Sequence, residues 1–381
     1  MKIAYILSSF IAKAGTERIL SDKMNYLVNK CGYEIIFITY EQGNHPLAFF
    51  LDERIKVIDL NTRFFPLYKL NPVSRIIAKS RQKRKLKFKL QNVLNEINPD
   101  FVVLTTYDFD KLGCILTLPY RFVIESHICI SDVRQELRQN NFISKLFAKQ
   151  LDSIHFKQMN KANALVSLTR ADKADWEQYV NIPVFVIPNL LTKYPNEITC
   201  YSERPNRILC VGRLTRQKGY DYLIKSWALI ANKYSDWKID IYGAGDWEEH
   251  LNQMINDYNI RQSMTINKPT PNIFEEYDHS SLFVLSSRYE GFGLVLIEAM
   301  SCGVPCISFD CHHGPSDIIT NGEDGILVHL GDIKKLAESI EWMIIHREER
   351  ERMSKNAREK AKKYLAGIIM PQWIELFNKI K

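Results

Sequence analysis

A chain of 381 residues with 46% apolar and 25% charged side chains is the size of about two domains. Its composition is that of an ordinary globular protein, which excludes a disordered, collagen-like or disulfide-stapled chain. The net charge of +7 is concentrated: between Asn61 and Asn95 there is no Asp or Glu, while Arg63, Lys69, Arg75, Lys79, Arg81, Lys83, Arg84, Lys85, Lys87 and Lys89 are all cationic. One basic stripe on an otherwise mildly acidic chain points to a local anionic partner and not to general nucleic-acid binding.

In chain order, Lys2 to Phe10 is a β-rich run, Thr16 to Lys30 has helical periodicity that Gly32 can end, and Tyr33 to Tyr40 is a second β-rich run. This strand, helix, strand unit is the seed of a parallel sheet. The same start imitates a secretory signal, with Lys2, a partly apolar stretch to Ala12 and Ala12-Lys13-Ala14, but Ser8 and Ser9 interrupt it and a helix start follows. Further buried strands are expected at Phe101 to Thr105, Arg121 to Glu125 and Ala164 to Leu168, with helical segments between, so residues 1–185 should form one doubly wound α/β domain.

Lys193 to Asn206 is polar, contains two prolines and reads as a linker. From Arg207 the alternation restarts, with strands Ile208 to Val211, Lys238 to Tyr242, Met264 to Asn267, Leu282 to Leu285, Pro305 to Phe309 and Gly325 to Val328. Helices are expected among them at Asp221 to Tyr234, Trp247 to Tyr258 and Leu294 to Ser301, which makes residues 186–366 a second domain of the same kind. Lys334 to Leu365 reads as one charged helical region. Gly367 to Lys381 places Met370, Trp373, Ile374, Phe377 and Ile380 at helical spacing and needs a surface to pack on.

The eight cysteines include no C-x-x-C pair, and several lie in apolar runs, as expected of buried free thiols in a reducing compartment. Cys302, Cys306, Cys311, His312 and His313 crowd together without a zinc spacing. No apolar run approaches the roughly 18 residues that cross a bilayer.

The stretch from Ser286 to Met300 carries the most chemistry. Glu290 lies in a loop bracketed by Gly291 and Gly293, and Glu298 follows two turns into an apolar helix. The glycines let backbone approach a ligand, and the helix start offers free N–H groups and a positive dipole end to an anion. Glu298, on an apolar helix, needs donors that ribose hydroxyls would supply; taken alone, it reads sooner as a carboxylate solvated at a helix edge, and the neighbouring motifs are what turn the reading toward a site. Val211 to Gly219 puts Arg213 and Lys218 at the carboxyl edge of a sheet, where open α/β sheets bind ligands and where two cations suit a diphosphate. Asp108-Phe109-Asp110 has the form of a divalent-metal pair but reads as a solvated loop.

Taken in order, these motifs resemble the retaining glycosyltransferases of family 4. The resemblance runs through Ala14-Gly15-Thr16-Glu17-Arg18, Ile187-Pro188-Asn189, Gly212-Arg213 with Lys218-Gly219, and Tyr242-Gly243-Ala244-Gly245. It continues through Glu290-x7-Glu298, Gly303-Val304-Pro305 and Gly314-Pro315-Ser316-Asp317-Ile318-Ile319. It implies the α/β GT-B architecture, two Rossmann-like doubly wound domains with parallel sheets facing across a cleft. The first would be acceptor-side with the helix 367–381 packed back on it, and the second would bind the nucleotide sugar.

Carried over by residue, the resemblance implies that Arg213 and Lys218 hold the donor diphosphate, Glu298 bonds the ribose and Glu290 the transferred sugar. Gly291 and the backbone N–H groups of Phe292, Gly293, Leu294 and Val295 would contact sugar or phosphate. Gly15 would let the first loop approach the donor, with Ala14 where the family often has another glycine, and His127 of Glu125-Ser126-His127 would lie near the reacting sugar. No cofactor and no metal are expected.

The segment Ile307 to Ile319 resembles enzymes that build bacterial surface polysaccharides, capsule or lipopolysaccharide, which favours a UDP-sugar donor, then GDP-mannose, and a glycan or lipid-linked glycan acceptor. The expected location is cytoplasmic, with Lys79, Arg81, Lys83, Arg84, Lys85 and Lys87 contacting an anionic membrane surface on its inner face. Lys79 to Leu90 mixes these cations with Leu86, Phe88 and Leu90, after Ile76 and Ile77, as a surface-lying helix would. Two alternatives remain at this point. One is a non-catalytic sugar-nucleotide or membrane-binding protein; the other is an NAD-dependent oxidoreductase, for which the first strand lacks G-x-G-x-x-G.

Overall fold

The computed structural model describes residues 1–64, 66, 69, 71–130 and 154–381, and for residues 72, 73, 108 and 110 the backbone only. Most of the segment expected to be helical between Glu125 and Ala164 lies outside the described residues. The chain divides into two compact units, Met1–Pro188 with Ile369–Lys381, and Asn189–Ile368.

The first unit holds a seven-stranded sheet in the order β3-β2-β1-β4-β5-β6-β7. Its strands are β1 (Lys2–Leu7), β2 (Glu34–Thr39), β3 (Lys56–Asp59), β4 (Phe101–Thr105), β5 (Phe122–Glu125), β6 (Ala164–Ser167) and β7 (Val184–Val186). Every pairing is parallel. Parallel strands are covered on both faces, so the inner ones read as unbroken apolar runs; β4, β5 and β6 are buried throughout. The edge strand β3 is mostly exposed, and its Lys56-Val57-Ile58-Asp59 carries no such run, so it escapes sequence reading.

Residues 2–7, which imitate a signal segment, are a central strand hydrogen-bonded to β2 and β4. Helix α1 (Gly15–Cys31) ends on Gly32 at φ 63°, the left-handed stop its sequence foreshadows. Helix α2 (Pro72–Ile97) opens on Asn71, whose side chain accepts from the Ser74 N–H at 2.9 Å. Its core face is Leu86, Leu90, Leu94 and Ile97.

The second unit holds a six-stranded sheet in the order β10-β9-β8-β11-β12-β13. Its strands are β8 (Arg207–Val211), β9 (Lys238–Tyr242), β10 (Met264–Asn267), β11 (Leu282–Leu285), β12 (Cys306–Asp310) and β13 (Gly325–His329), again all parallel. The fold is therefore α/β with two Rossmann-like domains.

Two expected helices are shorter than their patterns. The helix expected over Asp221 to Tyr234 is Tyr220–Ala228, followed by a separate tight turn at Ala231–Lys233. The expected Lys334–Leu365 region is two helices, Ile333–Ile345 and Arg347–Ala361. His346 separates them with a non-helical ψ of 70°, and the buried Arg350 guanidinium takes up the end of the first through the carbonyls of Met343 and Ile344, at 2.5 and 3.1 Å.

Candidate functional site

In an open α/β sheet, ligands bind beyond the carboxyl ends of the strands where the strand order reverses. In the second unit this point lies between β8 and β11, which are neighbours although 70 residues apart, and the chain leaves them through residues 212–219 and 286–293. These are the two segments that carry Lys218 and Glu290.

The two loops are held to each other by backbone and side chain. The Arg288 N–H donates to Gln217 O at 2.8 Å, Gln217 Nε2 to Tyr289 O at 3.1 Å, and Ser286 Oγ to Lys218 O at 3.0 Å. Gly219 sits at φ 64°, and a Cβ there would lie 2.0 Å from Ser286 O, so any side chain would force the loops apart. Arg288 clamps the base of the pair with a two-pronged bond to Asp221 at 2.8 and 2.7 Å. Burial alone would push the Asp221 carboxyl up, but Arg288 holds it below its ordinary value.

Within this frame Lys218 Nζ lies 2.7 Å from Glu290 Oε1, an oxygen that also accepts from Ser287 Oγ at 2.6 Å. Glu290 is 6% exposed. Arg213 differs: it is exposed and donates to Gln217 Oε1 at 3.1 Å. The Tyr242–Gly245 segment backs the first loop, with the Gly212 N–H on Tyr242 O and the Leu214 N–H on Ala244 O.

Beyond Glu290, Phe292 is buried and Gly293 starts helix Leu294–Ser301 at φ 94°, a left-handed value that Gly291 does not share. The first amides of that helix, including Leu294 and Val295, have no carbonyl to accept them within the helix. Its last carbonyls are taken by guanidinium groups, Ser301 O by Arg358 at 2.5 Å and Cys302 O by Arg204 at 2.6 Å, so cations stand at the negative end of the dipole. Glu298 is 3% exposed and accepts from the Tyr277 hydroxyl at 3.1 Å. Burial, then the Glu298 charge, pushes the Tyr277 phenol well up, so it stays a donor. The solvated alternative for Glu298 is thereby removed. Gln217, Arg288 and Tyr277 had no local signal, because each acts on a residue distant in sequence or on backbone; Ser287 bonds Glu290 from only three residues away, inside the stretch already singled out, and was passed over.

In the first unit, Gly15 is the first residue of α1, after an extended Ala14 whose side chain makes no cap. His127 follows the carboxyl end of β5, and its Nε2 is 3.0 Å from Glu125 Oε2. The other oxygen of Glu125 accepts from Lys23 Nζ at 2.6 Å. Lys23 was missed, although its place on the buried face of α1 with Ile19, Leu20, Met24 and Leu27 was visible in the periodicity. The side chains of Asp108 and Asp110 lie outside the described residues.

Other expectations need correction. Leu86 and Leu90 are fully buried in the core and cannot face a membrane, while Ile77 and Phe88 are 51% and 65% exposed. Arg81, Arg84 and Lys85 are exposed, whereas Lys79, Lys83 and Lys87 are half-buried, and Lys87 Nζ bonds Thr117 Oγ1 at 2.7 Å. Among the cysteines, Cys200 is exposed and Cys31 and Cys114 are partly so. The Cys302, Cys306 and Cys311 thiols turn to separate carbonyls, those of Phe274, Val304 and His313. Among the described residues no helix is long and apolar enough to cross a membrane.

The chain is similar to known proteins along its length. Residues 199–360 match the family of glycosyl transferases group 1. An uncharacterized glycosyltransferase of Haemophilus influenzae is 28% identical over 373 residues, covering 98% of each chain. A Campylobacter jejuni enzyme named as a GalNAc-alpha-(1->4)-GalNAc-alpha-(1->3)-diNAcBac-PP-undecaprenol alpha-1,4-N-acetyl-D-galactosaminyltransferase is 26% identical over 100% of this chain and 99% of its own. Among solved structures, Anabaena HepE in complex with UDP-glucose superposes with a TM-score of 0.76 at 18% identity over the whole of both chains. The second unit thus matches the glycosyl transferases group 1 over residues 199–360, and the protein is a glycosyltransferase of the GT-B fold.

Proposed function

We propose that the protein is a retaining, metal-independent family 4 enzyme. It would move a hexosyl or N-acetylhexosaminyl residue from a nucleotide-diphosphate sugar, a UDP-sugar before GDP-mannose, to a glycan or lipid-linked glycan in surface polysaccharide synthesis. The observation that carries this reading is the Lys218–Glu290 pair at the β8/β11 reversal, beside the helix start at Gly293. The UDP-glucose bound by HepE supports the donor class, and the lipid-linked substrate in the Campylobacter enzyme's name supports the acceptor class.

In this mechanism the bond between the sugar's anomeric carbon and the diphosphate oxygen breaks as the acceptor oxygen bonds to the same face of that carbon. The acceptor's proton passes to the leaving diphosphate. Negative charge grows on that group, and fixed cations and dipoles in a water-poor site stabilise it strongly. Lys218, Arg213 and the amides of Phe292, Gly293, Leu294 and Val295 take this role. Glu290, with Gly291 leaving its backbone accessible, is assigned to the transferred sugar, and Glu298, steadied by Tyr277, to the ribose. Gly15 and His127 of the first unit are assigned to the donor and its sugar. The exposed cations and apolar residues of α2 are assigned to peripheral attachment on the inner face of the cytoplasmic membrane.

A panel of nucleotide sugars scored by thermal shift tests the donor, since a ligand bound only by the folded state raises its stability by about 2.7 kcal/mol at a hundred times its Kd. A UDP-sugar should give the largest rise, and NMR of the product should show the donor's anomeric configuration kept. An inverted product, or no shift with any nucleotide sugar, refutes the proposal.

A further inference from the structure

Lys23 is an ammonium carried into the core of the first unit by the apolar face of α1, where it is 2% exposed. A buried charge persists only when it is paired and hydrogen-bonded, because the interior does not solvate it. Here both kinds of partner are present: Glu125 Oε1 lies 2.6 Å away, and the centre of the Trp373 ring from the terminal helix lies 3.4 Å from Nζ, in cation–π position. Burial pulls the ammonium down, and Glu125 resists this. For Glu125, burial would raise the carboxyl, but Lys23 and His127 outweigh it and hold the group below its ordinary value.

An ionised carboxylate only accepts hydrogen bonds. The 3.0 Å contact between His127 Nε2 and Glu125 Oε2 therefore requires the proton on Nε2, which leaves Nδ1 as the ring nitrogen that Glu125 does not engage. We propose that Lys23 is a positioning residue for glycosyl transfer: with Trp373 over it, it keeps Glu125 anionic, so that Glu125 fixes the tautomer and orientation in which His127 meets the reacting sugar. This rests on the assignment of His127 to the transferred sugar. It also gives the last helix of the chain a part in the chemistry of the first unit, because Trp373 belongs to it.

The test is nitrogen NMR of 15N-histidine-labelled protein, with the His127 signals identified by their loss in His127→Ala. Wild type should show the proton on Nε2. In Lys23→Met the unpaired Glu125 should take up a proton, donate it to Nε2 and move the imidazole proton to Nδ1; Lys23→Arg should restore the wild-type signals. Turnover with the identified donor should fall about tenfold or more in Lys23→Met with little change in KM, as for a lost orienting partner of a catalytic imidazole. Trp373→Leu should shift the same signals more weakly, and serves if Lys23→Met does not fold. A wild-type proton on Nδ1, or reduced turnover in a folded Lys23→Met protein with unchanged histidine signals, overturns the proposal. Full turnover in His127→Ala instead defeats the assignment beneath it.

Discussion

Lys218 and Glu290, 72 residues apart in sequence, form an ion pair 2.7 Å long at the point where the second sheet reverses its strand order. Arg213, from the same loop as Lys218, is exposed and bonds Gln217. The two cations should therefore not be equivalent. Lys218→Ala removes a cation assigned to the diphosphate and takes from buried Glu290 the ammonium it is paired with, and should lower kcat/KM by about a hundredfold or more. Arg213→Ala removes a more solvated charge and should cost about tenfold. Steady-state kinetics on both variants measure the ratio; equal losses would place Arg213 deeper in the transition state than its exposure implies.

Because protein cations and helix amides are assigned to the leaving diphosphate, EDTA should leave transfer essentially unchanged. Loss of activity in EDTA, its return with Mg²⁺ or Mn²⁺, and the same loss in Asp108→Ala or Asp110→Ala would reverse the assignment.

The two glutamates should separate kinetically. Glu298, held by Tyr277 and assigned to the unreacting ribose, contributes uniform binding, so Glu298→Ala should raise the donor KM about tenfold with kcat nearly kept. Glu290 is assigned to the sugar that changes in the transition state, and Glu290→Ala should act mainly on kcat. Tyr277→Phe should reproduce the Glu298→Ala pattern more mildly. Wild-type kcat and KM in both glutamate variants would end the assignment.

Helix α2 offers a test that divides its two faces. Charge reversal at Arg81, Arg84 and Lys85, or Phe88→Ser, should abolish flotation with anionic vesicles while leaving thermal stability within about 0.5 kcal/mol of wild type, as for exposed positions. Leu86→Ala should do the opposite, costing about 2–5 kcal/mol of stability by opening a core cavity. Equal recovery on neutral and anionic vesicles would contradict membrane attachment.

Asp172 supplies a pH signature of the first unit. It is buried, accepts from Trp176 Nε1 at 3.1 Å and lies 3.4 Å from the Ile130 N–H, and burial pushes its carboxyl up to about 7. The folded state then holds a proton that the unfolded chain, near pKa 3.8, has released. Its stabilising contribution is complete below about pH 4 and is lost as pH rises through about 7, on the order of 4 kcal/mol in all. Thermal melts from pH 5 to pH 8 should fall more steeply in wild type than in Asp172→Asn, which has no proton to lose. Parallel curves would show that Asp172 titrates normally.

Local pattern was enough for the repeated strand and helix alternation, because strands buried on both faces must be apolar along their length and the helices between them on one side only. The Glu290 to Glu298 element stood out for a similar reason, since loop glycines and a carboxylate on an apolar helix are visible locally; that Glu298 is buried was not, because its Tyr277 partner comes from 21 residues away. Partnership was not legible. Glu125 meets Lys23 from 102 residues away because the buried face of helix α1 packs on the first sheet, and Glu290 meets Lys218 from 72 because parallel crossovers bring distant strand ends to one edge of a sheet. No periodicity encodes which ends become neighbours. The same holds for the two faces of α2, where Leu86 and Phe88 are equally apolar by residue type, yet packing against the first sheet buried one and left the other in solvent.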